Sequence, residues 1–490
     1  MPGVESWTTL LPEVALVGGA LILLLMDAAV PRQRGPHLAV LTLVALGAAA
    51  LLTAAQWSAE PLFAMGGMVV QDPFGAFVRW IVIGAAGLAV LTAPGYLRPR
   101  ALDNAEFYAL LLLSTAGMTL LSVSSDLIMV FLAVELLSLS LYVMAGFERA
   151  RPEAQEASMK YFLLGAFASA FLLYGIAFIF GGSGTTNLLR LRLFAAQGGL
   201  DDFRLVGVAV ALLVVGLGFK AALVPFHMWT PDAYQGAPTP VTAFMAGGTK
   251  AAAFAAIVRT LDVSLGDLRW DWQPALAGLA VLSVVFASVL AVAQTDVKRM
   301  LAYSSISHAG FIAIAVLVAT QAGIAATLLY LFVYTAMTVG AFASVMLFRE
   351  SDGPDPELAT ERVHLAKYSG LGVRRPLAAA LFAFFLFSLA GIPPTGGFWA
   401  KWYVFFAAIG AHYTWLAVVA VGASVVAAFF YIRVAVVMFM QEPPDGDDMP
   451  LDRSVGLRVA LGICAAIVVA VGVAPEFFLS LAEKATSFAG

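Results

Sequence analysis

The chain has 490 residues, of which 61% are apolar and only 12% are charged, whereas a soluble domain carries about 25% charged residues. This composition predicts a protein with many membrane-spanning segments and excludes a soluble multidomain enzyme. The 27 lysines and arginines are scattered and the formal net charge is −4, so there is no basic tract that would bind nucleic acid. The single cysteine, Cys464, cannot supply a disulfide or a cysteine-ligated metal site.

Fourteen long apolar runs follow one another along the chain and are numbered here as spans 1 to 14. Each is long enough for a membrane-spanning helix, which needs about 20 mostly apolar residues. Their centres lie near Leu21, Ala48, Ile83, Leu113, Val134, Ala168, Leu213, Ala251, Val281, Ile312, Tyr334, Phe385, Ala423 and Ile467. The runs lack the period-two alternation of barrel strands. The predicted fold class is therefore an all-α polytopic membrane protein with about 14 transmembrane helices.

The loops differ strongly in positive charge. Loops after odd-numbered spans contain fifteen lysines and arginines, and loops after even-numbered spans contain five. Because positively charged loops stay in the cytoplasm, both termini are predicted on the non-cytoplasmic side of a bacterial inner membrane. The two longest linkers, 181–204 and 350–375, are polar and punctuated by Gly or Pro, which favours surface loops over a hidden soluble domain.

Five ionisable residues in or beside the apolar runs stand out. They are Glu135 in span 5, Lys160 near the start of span 6, Lys220 in span 7, Lys250 in span 8 and Lys401 in span 12. A charge at mid-membrane costs at least about 2.5 kcal/mol on insertion scales, so such residues are expected to face the bundle interior or a hydrated route. The alternatives are a structural ion pair for Glu135, Lys220 and Lys250, and snorkelling to the membrane interface for Lys160.

This set of residues favours proton transfer. Desolvation favours the neutral form of an amine and a nearby carboxylate favours its charged form, so moving the carboxylate moves the proton. One carboxylate among three central lysines is a poor set for sodium or calcium, which need several oxygen ligands. His227 and His308 can relay protons near neutral pH, and the alternative for each is a packing role.

Prolines interrupt two spans close to a lysine. Pro225 follows Lys220 by five residues, and Pro393 and Pro394 precede Lys401. Proline breaks the helical hydrogen-bond ladder, which is tolerated at membrane depth only inside protein or beside water. Broken helices 7 and 12, five helices apart, predict two inverted five-helix repeats. The predicted units are three N-terminal spans (1–98), spans 4 to 8 (104–262), spans 9 to 13 (272–440) and span 14 (455–490).

Two stretches carry recognisable motifs, FKAALVPFHMWTPDAYQGAPTPVTAFMAGGTKAAAF at 219–254 and DVKRMLAYSSISHAGF at 296–311. Both resemble the signatures of the antiporter-like subunits of respiratory complex I and of the multisubunit sodium/proton antiporters. Within that family, VELLSLSLYVMAGF in span 5 and GIPPTGGFWAKWYVF in span 12 are similar to the subunit N members. Subunit M is expected to carry glutamate where this chain has Lys401.

The resemblance implies an ordered route for protons through the membrane. Glu135 matches the glutamate that pairs with the lysine of helix seven, which is Lys220 here. Lys250 matches the lysine at the centre of the hydrophilic axis, and Lys401 matches the lysine beside the exit toward the non-cytoplasmic side. These roles come from the family, since the residue types alone do not order them.

Three further residues match the family at the edges of this route. Lys160 matches a lysine of the input region, His227 follows the break in helix seven, and His308 matches a histidine of helix ten. The resemblance thus implies a proton-translocating membrane-arm subunit of an NADH:quinone oxidoreductase, which moves protons outward as quinone is reduced in other subunits.

The resemblance also implies where the redox chemistry lies. No cofactor is expected in this chain; NADH, flavin, iron–sulfur clusters and quinone are expected in partner subunits. The expected partners are the other membrane-arm subunits, namely the antiporter-like subunit M and the small membrane subunits, together with the lipid bilayer. Two alternatives stay open: a subunit of a sodium/proton antiporter or related membrane-bound hydrogenase, and a structural scaffold without conduction.

Overall fold

A computed structural model describes residues 7–29, 35–57, 60–200, 205–350, 360–443 and 449–488. These residues are mostly helical. The α-helices are α1 (Leu11–Ala29), α2 (Pro36–Ala55), α3 (Pro73–Leu97), α4 (Ala105–Ser122), α5 (Leu127–Ala145), α6 (Pro152–Ser183), α7 (Leu188–Ala196), α8 (Val206–Ala221), α9 (Trp229–Gly236), α10 (Thr239–Phe244), α11 (Lys250–Ile257), α12 (Arg269–Val292), α13 (Val297–Leu317), α14 (Gln321–Leu347), α15 (Leu371–Arg374), α16 (Pro376–Ala390), α17 (Gly396–Gly410), α18 (Thr414–Met440), α19 (Val455–Val473) and α20 (Pro475–Lys484). Two antiparallel strand pairs are present, β1 (Leu62–Ala64) with β2 (Val69–Gln71) and β3 (Arg349–Glu350) with β4 (Thr360–Glu361).

Twelve helical segments in the described part of the chain are long and apolar enough to cross a membrane. They are Trp7–Ala29, α2 to α6, Thr239–Ser264, Gly266–Val292, α13, α14, α18 and α19. Two further apolar helices, α8 and α16, are shorter. Every predicted span centre falls inside one of these segments, and the all-α polytopic fold class is confirmed. The count of fourteen crossings, the inverted repeats and the four predicted units stay predictions.

The prediction of a surface loop over 181–204 is wrong at its start, where α6 continues to Ser183, and in its middle, where α7 lies. The side chain of Asn187 accepts a hydrogen bond from the backbone N–H of Arg190 at 3.1 Å and so caps the first turn of α7. The preceding Gly- and Thr-rich stretch conceals this short helix from a prediction based on composition. Three of the arginines counted in the loops, Arg32, Arg34 and Arg204, lie outside the described residues.

The helices form an inner and an outer group. The segment Thr239–Ser264 and helices α13 and α14 are 94–100% buried over their apolar windows. Helices α1, α2, α6, α12, α18 and α19 surround them and are only 33–44% buried. Because the inner group is buried within the protein, polar side chains on it must find partners there.

Loops that follow spans of the same parity contact one another. The loops after spans 2 and 6 meet where the Asn187 side chain donates a hydrogen bond to the carbonyl oxygen of Gly67 at 2.9 Å. The loops after spans 11 and 13 meet where Arg349 forms an ion pair with Asp452. Two of the arginine-rich odd loops therefore meet, and the side of the bundle that carries them is called the odd-loop surface; that it faces the cytoplasm stays a prediction.

Helices α8 and α16 each end before a proline-containing segment. Ala222 adopts a left-handed conformation after α8, with φ of +62°, and Pro225 lies in the segment 222–228 before α9. Gly391, with φ of +88°, ends α16, and Pro393 and Pro394 lie before α17. The first break leaves backbone groups without helical hydrogen-bond partners. One of them, the Val224 N–H, donates a hydrogen bond to the hydroxyl of Ser283 at 2.9 Å.

A further irregularity was not predicted from the sequence. The segment Thr239–Ser264 contains two π-helical turns, Met245–Thr249 and Val258–Ser264, on either side of α11. The first includes Gly247 and Gly248, where an added Cβ would lie 2.8 Å from Thr335 Cγ2 of α14 and 3.0 Å from Met118 Sδ of α4. The two glycines therefore permit close packing of this segment against α4 and α14.

Arg259 is one of the five basic residues counted in the even loops. It lies instead in the second π-helical turn, so its assignment to a loop is wrong. It is 3% exposed and forms a two-pronged ion pair with Asp72 at 2.6 and 3.0 Å. Its Nε also donates to the carbonyl oxygen of Ser122 at 2.7 Å. Asp72 caps α3 by accepting a hydrogen bond from Gly75, so this pair ties the buried segment to the start of α3.

Candidate functional site

Lys220 lies in the last turn of α8, beside the first helix break, and is 3% exposed. Its Nζ donates hydrogen bonds to the hydroxyl of Ser138 at 2.8 Å and to the hydroxyl of Tyr161 at 3.0 Å. These partners come from α5 and α6, so three helices meet at the amine. Both partners are neutral, and in the described part of the chain no carboxylate oxygen lies within 4.0 Å of this Nζ.

Glu135 lies on α5, three residues before Ser138. Its buried Oε1 atom has no hydrogen-bond partner among the described residues. The direct contact between Glu135 and Lys220 that the resemblance implies is therefore not made in this structure. Residues three apart on a helix are neighbours about 5–6 Å apart on the same face. Lys220 is therefore bonded to a residue, Ser138, that lies one helical turn from Glu135 on α5.

His227 lies in the segment 222–228 between α8 and α9. It is 8% exposed, and its Nδ1 has no hydrogen-bond partner in the part of the chain that the structure describes. The ring of Phe286 packs edge-on at a centroid distance of 5.7 Å. On the other side of the break, Trp229 of α9 stacks on Tyr161 at 4.3 Å, which links the break to the Lys220 partner.

Lys250 is the first residue of α11, directly after a π-helical turn, and is 1% exposed. Its Nζ donates a hydrogen bond to the backbone carbonyl of Ser305 on α13. The ring of Tyr334 on α14 lies 5.7 Å from the same nitrogen, and the Tyr334 hydroxyl donates to the Ser305 hydroxyl at 2.9 Å. Lys250 is therefore held by neutral groups from two inner helices.

His308 lies between two tyrosine hydroxyls inside the bundle. Its Nδ1 is 2.7 Å from the hydroxyl of Tyr330, and its Nε2 is 3.2 Å from the hydroxyl of Tyr431. The ring also packs 5.1 Å from the Tyr334 ring, which contacts Lys250. Because both ring nitrogens have a hydroxyl partner, this imidazole can receive a proton at one nitrogen and release it from the other.

Lys401 lies on α17, after the second helix break, and is 5% exposed. Its Nζ donates a hydrogen bond to the carbonyl oxygen of Ala390 at 2.9 Å, at the last residue of α16. The C-terminal end of a helix carries partial negative charge and favours a cation. The Phe311 ring lies 4.8 Å from the amine, and Phe311 is one turn after His308 on α13.

Lys160 has different surroundings from the three buried lysines. Its side chain is 44% exposed and forms ion pairs at 2.6 Å with Glu156 and Asp232. Asp232 also pairs with Arg299 at 2.6 Å. This charged cluster lies toward the surface formed by the odd loops, and exposed pairs of this kind contribute about 0–1 kcal/mol to stability. Lys160 nevertheless directly precedes Tyr161, the partner of Lys220.

The polar groups that connect the lysines were missed by sequence reasoning. They are Ser138, Tyr161, Ser305, Tyr330, Tyr334 and Tyr431. Tyrosine and serine within an apolar run are common, and a serine hydroxyl is often satisfied by its own helix. The available signal was the presence of tyrosines within apolar runs, and this signal does not identify partners on other helices.

Comparison with known proteins covers nearly the whole chain. The family model described as "NADH:quinone oxidoreductase/Mrp antiporter, TM" matches residues 124–427, which include all seven predicted site residues. The chain is 40% identical over 482 residues to NADH-quinone oxidoreductase subunit N 1 of Herpetosiphon aurantiacus, covering 98% of this chain and 96% of the relative.

Solved structures give the same picture of the fold. A chain of respiratory complex I from Thermus thermophilus is similar with a TM-score of 0.79 and 34% identity, over 96% of this chain and 98% of that chain. A chain of the Mrp complex from Dietzia sp. DQ12-45-1b has a TM-score of 0.82 at 23% identity, over 99% and 97% of the two chains. The second likeness concerns the fold alone.

Proposed function

We propose, from the premise that the chain belongs to the NADH:quinone oxidoreductase/Mrp antiporter family and within it to the subunit N proteins, that it carries protons through the membrane arm of a respiratory complex I. The observation that carries this proposal is the buried lysine line, which consists of Lys220, Lys250 and Lys401. Each of these amines is bonded only to neutral oxygen atoms, from residues of other helices.

The neutral surroundings of these lysines support exchange of protons over a purely structural role. A permanent buried charge is costly unless an opposite charge compensates it. A structural role would be served by a close carboxylate, and the described residues place none within 4.0 Å of the three amines. An amine held by hydroxyl and carbonyl oxygens gains or loses its proton when a charge moves nearby.

Lys220 and Glu135 are the proposed switch at one end of the line. Lys220 is bonded to Ser138 and Tyr161, while Glu135 has a buried oxygen without a partner one turn away. Turning the amine toward Glu135 would stabilise the ammonium, and turning it back would favour release of the proton. A signal from another subunit can drive this change only by stabilising one of the two arrangements more than the other.

Transfer from Lys250 to Lys401 is proposed to proceed through His308. The Tyr334 ring contacts both Lys250 and His308, and the Tyr330 and Tyr431 hydroxyls engage the two imidazole nitrogens. The neutral imidazole would accept a proton at its unprotonated nitrogen and release one from its protonated nitrogen. Water molecules would bridge the gaps between Lys250, His308 and Lys401, since the packed rings alone do not form a continuous hydrogen-bonded chain.

The input and output ends are proposed from the predicted orientation. Lys160 and its ion-pair cluster would form the input region on the odd-loop surface, with His227 in the first break as a relay. Lys401 would release protons toward the opposite side. Both chain termini would then lie on the non-cytoplasmic side of a bacterial inner membrane.

The energy source is proposed to lie outside this chain. NADH, flavin, iron–sulfur clusters and quinone would belong to partner subunits, and subunit M and the small membrane subunits would be neighbours in the membrane arm. In the described residues no group of three or more His, Cys, Asp or Glu side chains could hold a metal ion. The only cysteine, Cys464, is buried in α19 and offers one thiol.

A sodium/proton antiporter subunit is the second candidate, because the Mrp chain shares the fold. The similarities favour the first candidate: the subunit N relative is 40% identical, whereas the Mrp chain is 23% identical. The scarcity of carboxylates around the buried lysine line also disfavours sodium, which prefers oxygen ligands without a competing cation.

The test is acidification of inverted membrane vesicles, followed with a pH-sensitive dye after addition of NADH. Lys220→Ala should lower the protons moved per NADH oxidised while the complex remains assembled. Lys484→Ala is the matched control, because Lys484 is an exposed lysine in α20, far along the chain from the buried line.

The two candidates give opposite results in this assay. If NADH-driven acidification is unchanged by Lys220→Ala and only proton release on addition of sodium is lost, the antiporter function replaces the proposed one. If neither changes for Lys220→Ala, Lys250→Ala and Lys401→Ala in assembled complexes, the chain is a scaffold without conduction.

A further inference from the structure

A large groove opens between α2, α3 and the start of α19. Its volume is about 1450 Å³, which exceeds the roughly 300–1,000 Å³ of a small-molecule pocket. Helix α2 begins here at Pro36, α3 ends at Leu97 and α19 begins at Val455. One terminus of each of these three helices therefore lies at this level. The groove is at the boundary between the apolar part of the molecule and its arginine-rich loops.

The mouth of the groove is strongly basic. Five arginines and one aspartate line it, Arg98, Arg349, Arg375, Arg453, Arg458 and Asp452. Two of the arginines are used within the protein, since Arg98 pairs with Asp103 and Arg349 pairs with Asp452. Arg453 and Arg458 are exposed and form no ion pair within the described residues. The groove therefore offers at least two cations for an external anion.

The walls of the groove are apolar and open outward. Leu43 of α2 and Val90 of α3 form part of the wall, and Val40 and Val455 stand 55% and 73% exposed at its edge. Inorganic phosphate would occupy only the basic mouth and leave these walls uncovered. A ligand that fills the groove must combine an anionic head with long apolar chains.

We propose that this groove binds an anionic phospholipid, with its phosphodiester between Arg453 and Arg458 and its acyl chains along α2 and α3. Basic pockets between membrane helices are suited to anionic headgroups, and each nearby arginine adds to the attraction. The Ser454 hydroxyl lies between the two arginines in sequence, lines the groove and has a buried oxygen atom without a partner in the described structure. It can donate a hydrogen bond to a phosphate oxygen.

A second groove on the same surface provides an internal comparison. It has a volume of about 1100 Å³ and similar apolar walls. Its arginines, Arg100 and Arg149, are matched by Glu106 and Glu148, and Arg100 is ion-paired with Glu148 at 3.3 Å. This balanced groove is expected to accept membrane lipid without selecting an anionic headgroup.

The test uses the assembled complex in vesicles that contain a trace of photoactivatable phosphatidylglycerol or phosphatidylcholine. Crosslinked peptides are quantified by mass spectrometry at the start of α19 and, for comparison, at 143–149 in the second groove. Phosphatidylglycerol should label the start of α19 more strongly than phosphatidylcholine does. Arg453→Gln combined with Arg458→Gln should reduce that labelling by about tenfold or more, whereas Arg453→Lys with Arg458→Lys should retain it.

Arg190→Gln is the matched control, because Arg190 is an exposed arginine beside the loops of the opposite surface. It should leave labelling at α19 unchanged. Equal labelling by the two lipids, or equal labelling by wild type and the double glutamine variant, would overturn the proposal. Displacement of the label by millimolar inorganic phosphate, but not by excess phosphatidylglycerol, would show a phosphate site instead of a lipid site.

Discussion

The amine of Lys220 donates a hydrogen bond to the hydroxyl of Tyr161 at 3.0 Å. This bond joins α8 to α6 at the point where α8 is interrupted. The same tyrosine ring stacks on Trp229, the first residue of α9 on the far side of the break. Tyr161 therefore contacts both sides of the break, through Lys220 and through Trp229, and we propose that it holds the lysine away from Glu135.

Tyr161→Phe tests this holding role. The ring and its stacking on Trp229 remain, but the amine of Lys220 loses one of two acceptors, and a hydrogen bond to a charged group contributes about 1.5–3 kcal/mol. We expect the balance to shift toward Glu135 and the protons moved per NADH oxidised to fall severalfold in assembled complexes. Tyr174→Phe on the same helix is the control, because Tyr174 is 59% exposed. Equal pumping by the two variants would contradict a role for Tyr161.

Lys250→Arg separates the charge of the lysine from its ability to release a proton. Arginine keeps a positive charge at this position and does not give up its proton in proteins. We expect NADH-driven acidification to fall about as far as in Lys250→Ala, by roughly tenfold or more if proton transfer here limits the rate. Lys484→Arg, an exposed exchange of the same kind, should behave as wild type. Full pumping by Lys250→Arg would mean that only the charge matters.

His308→Gln tests the proposed proton relay between Lys250 and Lys401. Glutamine can still hydrogen-bond to Tyr330 or Tyr431, but it cannot bind and release a proton near neutral pH. The acidification rate should fall severalfold while the complex stays assembled. His412→Gln is the matched control, since His412 is exposed after α17. If both variants pump normally, His308 is a packing residue, which is the alternative that its sequence context left open.

Gly397→Ala probes the second helix break. A methyl group at Gly397 would collide with the carbonyl oxygen of Ser388 on α16, whereas one at Gly422 on α18 would meet nothing within 4 Å. Overpacking of this kind costs about 1–3 kcal/mol or more. We expect Gly397→Ala to lower the thermal stability of the detergent-solubilised complex and Gly422→Ala to leave it unchanged or slightly higher. The close approach of α16 and α17 would be refuted if the two variants had the same midpoint.

The sequence alone determined the class of protein and the positions of its apolar segments. Runs of about 20 apolar residues have few alternatives to a helix in a membrane, because backbone groups must be satisfied within the segment. For that reason every predicted span centre falls inside an apolar helix of the structure. The motifs around Lys220 and Lys250 also indicated the family, which the comparisons confirmed. These properties depend on local composition and order.

The tertiary structure alone decided which groups meet in the interior. Nothing in the sequence near Lys220 indicates that its acceptors are Ser138 and Tyr161, or that Glu135 stands apart from it. The π-helical turn before Lys250, whose glycines pack closely against α4 and α14, was equally hidden. Such contacts join residues tens to hundreds of positions apart. Rotating one helix about its axis would change the partners of all its side chains. Helix propensity and hydropathy are almost indifferent to that rotation when all faces of a helix are apolar.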